Sequence, residues 1–184
     1  EVLPQRPPVL CAGCPHRGVF WVLRKLRLVV NSDIGCYTLG LIPPLSAIHT
    51  CGCMGAGIGV AHGAAQAGSP ERHVAVIGDS TFFHSGIPPL INAVYNQSPI
   101  VTVILDNRVT GMTGHQENPG TGRTLTAVIE DALRGRAILE LLYATGIRCA
   151  EVRGHCVAIA GREGGACRPE SCLTRDILVR RRNE

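Results

Sequence analysis

The stretch VAVIGDSTFFHSG, residues 74–86, decides the fold. Val74, Ala75, Val76 and Ile77 read as a strand apolar on both faces, and the run stops at Gly78-Asp79-Ser80. A second apolar run, IVTVILDN at 100–107, also ends in polar residues, Asp106-Asn107. Between them, Pro88-Pro89 suits the first turn of a helix running to about Asn96, with Leu90, Ile91 and Val94 facing inward. Strand, helix and strand, with both strands apolar throughout, predict an α/β fold: a parallel sheet flanked by helices.

Working outward, HRGVFWVLRKL at 16–26 has helical spacing, with Val19, Val22, Leu23 and Leu26 on one face. LVVNSDIG at 28–35 holds a short strand ending near Asn31 or Asp33. LIPPLSAIHT at 41–50 is a loop around Pro43-Pro44. GAGIGVAHGAAQAG at 55–68 is a helix of small residues, which must pack close to another backbone. TGMTGHQENPGTG at 110–122 is a Gly-rich loop. AVIEDALRGRAILELLYATGI at 127–147 reads as a helix. Beyond it the chain is rich in Arg, Gly and Cys, with little periodicity apart from 157–160. Residues 1–125 therefore form the core of the domain, and 126–184 are either its C-terminal part or a poorly ordered tail.

The 184 residues fit one domain with a buried core. Aromatic residues are only 4%, too few for nucleic-acid stacking platforms. The net charge of +4 is mild, and 11 of the 18 basic residues lie from Arg123 onward, so it reads as a solvated tail. No apolar run is long enough to span a membrane. EVLPQRPPVLCAGC has neither an initiator Met nor the form of a signal peptide, and suggests a chain beginning partway through a longer protein. Nine cysteines without a secretory signal favour metal ligation or reduced thiols in a cytoplasmic protein over disulfides.

In a parallel α/β sheet, ligands bind beyond the carboxyl ends of the strands. Asp79 and Asn107 both stand there. From Ser80 to Asp106 the chain passes 25 residues, about one crossover, so the two side chains should meet in space. An acid and an amide converging with backbone carbonyls suit Mg²⁺, with phosphate oxygens completing the shell. The simpler alternative for Asp79 alone is a helix cap.

Gly-Asp-Ser, 25 residues and then Asp-Asn resembles the thiamine diphosphate motif. The wider text is more specific: VLCAGCPHRGVF, DIGCYTLG, TCGCMGAGIGVAHG, IGDSTFFHSGI, LINAVYN and ILDNRVTGMTGHQENPGTG. Across residues 6–125 it resembles the diphosphate-binding domain of the indolepyruvate ferredoxin oxidoreductase large subunit. The resemblance implies a thiamine diphosphate-binding fold of diphosphate type, with Asp79, Asn107 and the carbonyl of Val109 as Mg²⁺ ligands. It implies cofactor contacts from Met54, Gly55, Gly78, Asp79, Ser80 and Asn107, and from Thr110, Gly111, Met112 and Thr113 in a loop reaching Gln116. Ser80 replaces the third Gly of the broad motif but suits this subfamily. Gly52, Gly55, Gly57, Gly59 and Gly63 make a weak dinucleotide fingerprint, since SAIHT is a poor strand. They fit better a turn that lets backbone approach the cofactor, with Met54 wedged under the thiazolium. Phe82 and Phe83 read as core, and His84 as a wall residue.

Cys11-x₂-Cys14, then 21 residues, then Cys36 suits Zn²⁺, an iron–sulfur cluster or structural thiols. In the resembled family a similar arrangement binds a [4Fe–4S] cluster beside the cofactor. The fourth ligand would be Cys167, with Cys149, Cys156 and Cys172 as rivals. Cys51 and Cys53 flank Met54 and read as packing residues.

The family reaction is oxidative decarboxylation of an aryl 2-oxoacid by coenzyme A, with electrons passed to ferredoxin. The Glu that activates the cofactor lies on a pyrimidine-binding domain, which is expected from elsewhere, together with a small subunit, in an oligomer. Among the acids here, Glu1, Asp33, Glu71 and Glu117 fall outside any motif. Two other readings stay open: half of a non-redox thiamine diphosphate decarboxylase of sulfopyruvate or phosphonopyruvate type, and a non-catalytic metal-binding fragment.

Overall fold

A computed structural model describes residues 3–122, Leu125 and Ile129, and the backbone of strands between 142 and 161. Seven strands form one sheet in the order β2-β1-β3-β4-β7-β6-β5. They are β1 (Val29–Ser32), β2 (Thr50–Cys51), β3 (His73–Gly78), β4 (Val101–Asp106), β5 (Leu142–Ala144), β6 (Ile147–Val152) and β7 (His155–Gly161). From β2 to β7 the pairs are parallel; β7–β6 and β6–β5 are antiparallel. Helices α1 (His16–Lys25), α2 (Ala56–Gln66) and α4 (Ile87–Tyr95) flank the sheet, and α3 (Asp79–Thr81) leads directly off β3.

β3 and β4 are mostly apolar and buried because both faces are covered. Ala75 and Ile77 of β3 pack with Ile58 and Ala61 of α2, Leu90 and Ala93 of α4, and Leu125 and Ile129. Val74 and Val76 turn the other way, onto Phe20 and Leu23 of α1, Val30 and Tyr37. This alternation follows from the two-residue period of a strand. Burying such side chains contributes about 1.5–3 kcal/mol each before entropy is counted.

Within this frame three expectations need correction. Leu26 is 46% exposed, because α1 stops at Lys25 and buries His16, Phe20, Val22 and Leu23 instead. Ile91 is 42% exposed, since the inward row of α4 is Leu90 and Ala93. The helix expected over 127–147 does not persist: Leu125 and Ile129 are helical and buried, but 142–144 is strand β5, with Ala144 opposite Ile147 of β6. Helical spacing of apolar residues does not exclude a strand when sheet pairing competes for it.

Candidate functional site

Every parallel strand ends at one edge of the sheet, and the site is built there. The last paired rung of β3 and β4 is Gly78 opposite Leu105. Asp79 and Asp106 are the next residues on each chain, and Asn107 follows. Neighbouring strands lie about 4.8 Å apart, so register brings the backbone of Asp79 beside that of Asp106 and Asn107.

Asp79 is only 4% exposed. Burial pushes its carboxyl above the ordinary carboxylate range, and Asp106 adds to this. The backbone amides of Ser80 and Arg108 and the Asn118 side chain oppose it. Asn118 donates from Nδ2 to Asp79 Oδ2 at 3.3 Å. Asn118 itself is fixed, accepting from Gly120 N–H at 2.8 Å through Oδ1. Asn107 Oδ1 accepts from Val109 N–H at 3.2 Å and keeps a second lone pair.

The loop after Asn107 folds back as a small hairpin, with Thr110 N–H donating to Gln116 O at 2.8 Å. Ser80 Oγ and Thr110 Oγ1 meet at 2.9 Å and tie it to α3. Thr113 and Gln116 bond across it. Met112 is 54% exposed on the outside. A Cβ on Gly111 would lie 3.3 Å from Asn107 Nδ2 and 3.7 Å from Cys36 Sγ. Cys36 thus stands against the loop that follows Asn107.

Burial raises the Cys36 thiol pKa, and charge on Cys11 and Cys14 would raise it further. Those two flank a turn just before α1, closed by Cys14 N–H on Cys11 O at 3.1 Å. No three His, Cys, Asp or Glu side chains among the described residues converge tightly enough to hold a metal. Cys11, Cys14, Cys36, Cys51 and Cys53 are all free thiols, and Cys51 and Cys53 are exposed beside the Met54 turn instead of packed there as expected. Cys167 and Cys172 lie outside the described residues, and only the backbone is described at Cys149 and Cys156.

On the other side of the edge lies the Met54–Gly55 turn. Met54 is 46% exposed, while Gly55 is buried with φ +86°. Asp33 and Tyr37, which the sequence reading left unassigned, are buried beneath it. The signal was present in VVNSD, an apolar strand ending in an acid like Asp79, but no recognised spacing accompanied it. Asn118 was missed because it lies just past the loop assigned to the cofactor. His84 is exposed and Phe82 fully buried; Phe83 packs on the core.

Residues 33–161 match the thiamine pyrophosphate enzymes, C-terminal TPP binding domain. The chain belongs to that family. The indolepyruvate oxidoreductase subunit IorA of Pyrococcus horikoshii is 51% identical over 140 residues, 67% of this chain and 22% of the relative. That of Archaeoglobus fulgidus is 52% identical over 143 residues, 72% of this chain and 23% of the relative. The chain thus spans about a fifth of the length of these relatives. Among solved structures, a 2-oxoglutarate:ferredoxin oxidoreductase from Magnetococcus marinus, with 2-oxoglutarate, coenzyme A and succinyl-CoA bound, shares the fold. Its TM-score is 0.52 at 23% identity, covering 63% of this chain and 43% of that one.

In this thiamine pyrophosphate-binding domain, β3 leads into one buried carboxylate. Asp79 is a desolvated carboxylate whose donors are neutral amides and whose charged neighbour is another acid. A divalent cation would supply the missing positive charge. No helix among the described residues is long and apolar enough to cross a membrane.

Proposed function

We propose that this chain forms the diphosphate-binding part of a 2-oxoacid:ferredoxin oxidoreductase acting on indolepyruvate or a related aryl pyruvate. The observation that carries this reading is the placement of Cys36 against Gly111, in the loop that follows Asn107. On this reading a candidate cluster ligand lies beside the diphosphate corner, which a non-redox decarboxylase would not need. The archaeal relatives named for indolepyruvate support the substrate class.

In this reading Asp79, Asn107 and the Val109 carbonyl hold Mg²⁺. Gly78, Ser80 and Thr110–Thr113 hold the diphosphate, and Met54 with Gly55 supports the thiazolium. When bound, thiamine diphosphate supplies the carbanion chemistry that decarboxylates a 2-oxoacid. This chain's residues bind and orient it. Asn118 keeps the Asp79 carboxylate turned to the cation. Cys11, Cys14 and Cys36, with Cys167 as fourth ligand, would have to draw closer together than the described thiols stand in order to hold a [4Fe–4S] cluster that carries electrons toward ferredoxin. The pyrimidine-binding domain, the small subunit and coenzyme A complete the enzyme, a cytoplasmic oligomer.

The test uses the full-length subunit assembled with its partner. Asp79→Ala should abolish Mg²⁺-dependent thiamine diphosphate binding by calorimetry. Cys36→Ser should lower iron content and indolepyruvate-dependent ferredoxin reduction while sparing that binding. Unchanged affinity in the first variant overturns the metal assignment; full iron in the second overturns the cluster.

A further inference from the structure

The buried carboxylate at the end of β1 has no part in the metal corner. Asp33 is 0% exposed. Its Oδ2 accepts the Gly55 N–H at 2.6 Å, and its Oδ1 accepts the Tyr37 hydroxyl. Thr38 Oγ1 donates to its backbone carbonyl at 2.8 Å, so the main chain there is held as well. A short bond from an amide to a carboxylate is of the stronger, charge-assisted kind.

Gly55 is clamped from the opposite side. A Cβ there would lie 2.5 Å from Ser85 Oγ and 3.0 Å from the Ser85 carbonyl oxygen. Two residues on, a Cβ at Gly57 would lie 2.9 Å from the Asn31 carbonyl oxygen. The start of α2 therefore presses on β1 and on the turn after β3, and its height is set by the carboxylate between them. Met54, next to the clamped residue, projects outward.

We propose that Asp33 is the positioning residue for the thiazolium end of the cofactor: it fixes the Gly55 amide, and with it the Met54 side chain, against the end of β1. This rests on the cofactor reading given above. Tyr37 extends the device. Its ring fills the space beside Gly78, where a Cβ would come within 2.6 Å of Cε1. The Asp33–Tyr37 pair thus sits between the Met54 turn and the diphosphate corner, in contact with the framework of both.

A simple cap would be local. Capping side chains usually bond amides two or three residues along the chain. Asp33 reaches an amide 22 residues away. Burial also pushes its pKa up to about 6, so a charged group is kept where charge is disfavoured.

The experiment measures two affinities in the full-length subunit complex with Mg²⁺ present, for thiamine diphosphate and for inorganic pyrophosphate. Pyrophosphate probes the metal corner alone. Asp33→Ala should weaken thiamine diphosphate roughly tenfold or more while changing pyrophosphate less than about twofold. Asp33→Asn should restore thiamine diphosphate binding, since Oδ1 can accept from Gly55 and Nδ2 can donate to the Tyr37 oxygen. Met54→Ala should cause a loss of the same kind, not additive with Asp33→Ala. Equal weakening of both ligands, unchanged thiamine diphosphate affinity, additive losses or failure of the Asn variant to rescue would each overturn the proposal. Asp79→Ala is the control for the cofactor reading: it should lose both ligands. If it keeps both, that reading fails, independently of what Asp33 does.

Discussion

Two acids at this sheet edge, Asp33 and Asp79, are both buried, yet their surroundings differ in kind. Asp33 has each carboxylate oxygen occupied by a donor of this chain, Gly55 and Tyr37. Asp79 has amides around it and a second acid nearby, which leaves a cation to be supplied. On the proposed reading one is therefore a strut and the other a ligand. Burial raises the Asp33 pKa to about 6, against 3.8 for a free carboxyl. The folded chain holds this proton more tightly than the unfolded one. Its contribution to stability is thus fully present below the unfolded pKa and is lost as pH rises through the folded one. Asn at this position carries no such penalty. The melting temperature of Asp33→Asn, relative to the parent and without cofactor, should rise between pH 4 and 6, roughly the window between those two pKa values. A flat difference across that window would mean that Asp33 is ionised without cost.

The elements that position the site were legible where one pattern dominated. β3 and β4 are continuous apolar runs, and their meeting at Gly78 and Leu105 follows from one crossover length. The spacing of Cys11, Cys14 and Cys36 was visible too, although no three side chains among the described residues form a metal site. Asp33 was not, because its partner is an amide of a distant turn, and backbone donors leave no mark in residue type. The strand β5 was hidden by apolar spacing that suits a helix equally well. α2 shows where small residues are required and where they are incidental. Gly57 is pressed on β1, with the Asn31 carbonyl 2.9 Å from a Cβ, whereas nothing lies within 4 Å of one at Gly59. Gly57→Ala should destabilise by roughly 1–3 kcal/mol, since backbone cannot yield as a side chain can. Gly59→Ala should stabilise by about 0.5–1 kcal/mol through helix propensity. Chemical denaturation of both variants checks the contrast; equal effects would show that α2 does not sit on β1 as described.

At the scale of the molecule, the acids decide what the chain can do unaided. Activating thiamine diphosphate needs a carboxylate at the aminopyrimidine, separate from the one that holds the cation. Asp33 is committed to Gly55 and Tyr37, and Asp106 Oδ1 accepts from Arg108 N–H at 3.0 Å. Glu71 bonds Ser69 just before β3, at the end of the sheet away from the site. Glu117 is exposed, beyond the hairpin of the diphosphate loop. With Asp79, these are the acids among the described residues; the side chains of the others lie outside them. A site built on one edge of one sheet also leaves Met54 and Met112 open to solvent, as a half-cleft would. On the proposed reading, in which the activating carboxylate comes from a pyrimidine-binding domain, the isolated 184 residues should show no decarboxylation of indolepyruvate or phenylpyruvate with thiamine diphosphate, Mg²⁺, coenzyme A and an electron acceptor. Adding a pyrimidine-domain polypeptide and the small subunit should restore it. Turnover by the isolated chain would mean that one of its own acids activates the cofactor. Glu117 would then be the residue to substitute first, because its loop adjoins the diphosphate corner through Asn118.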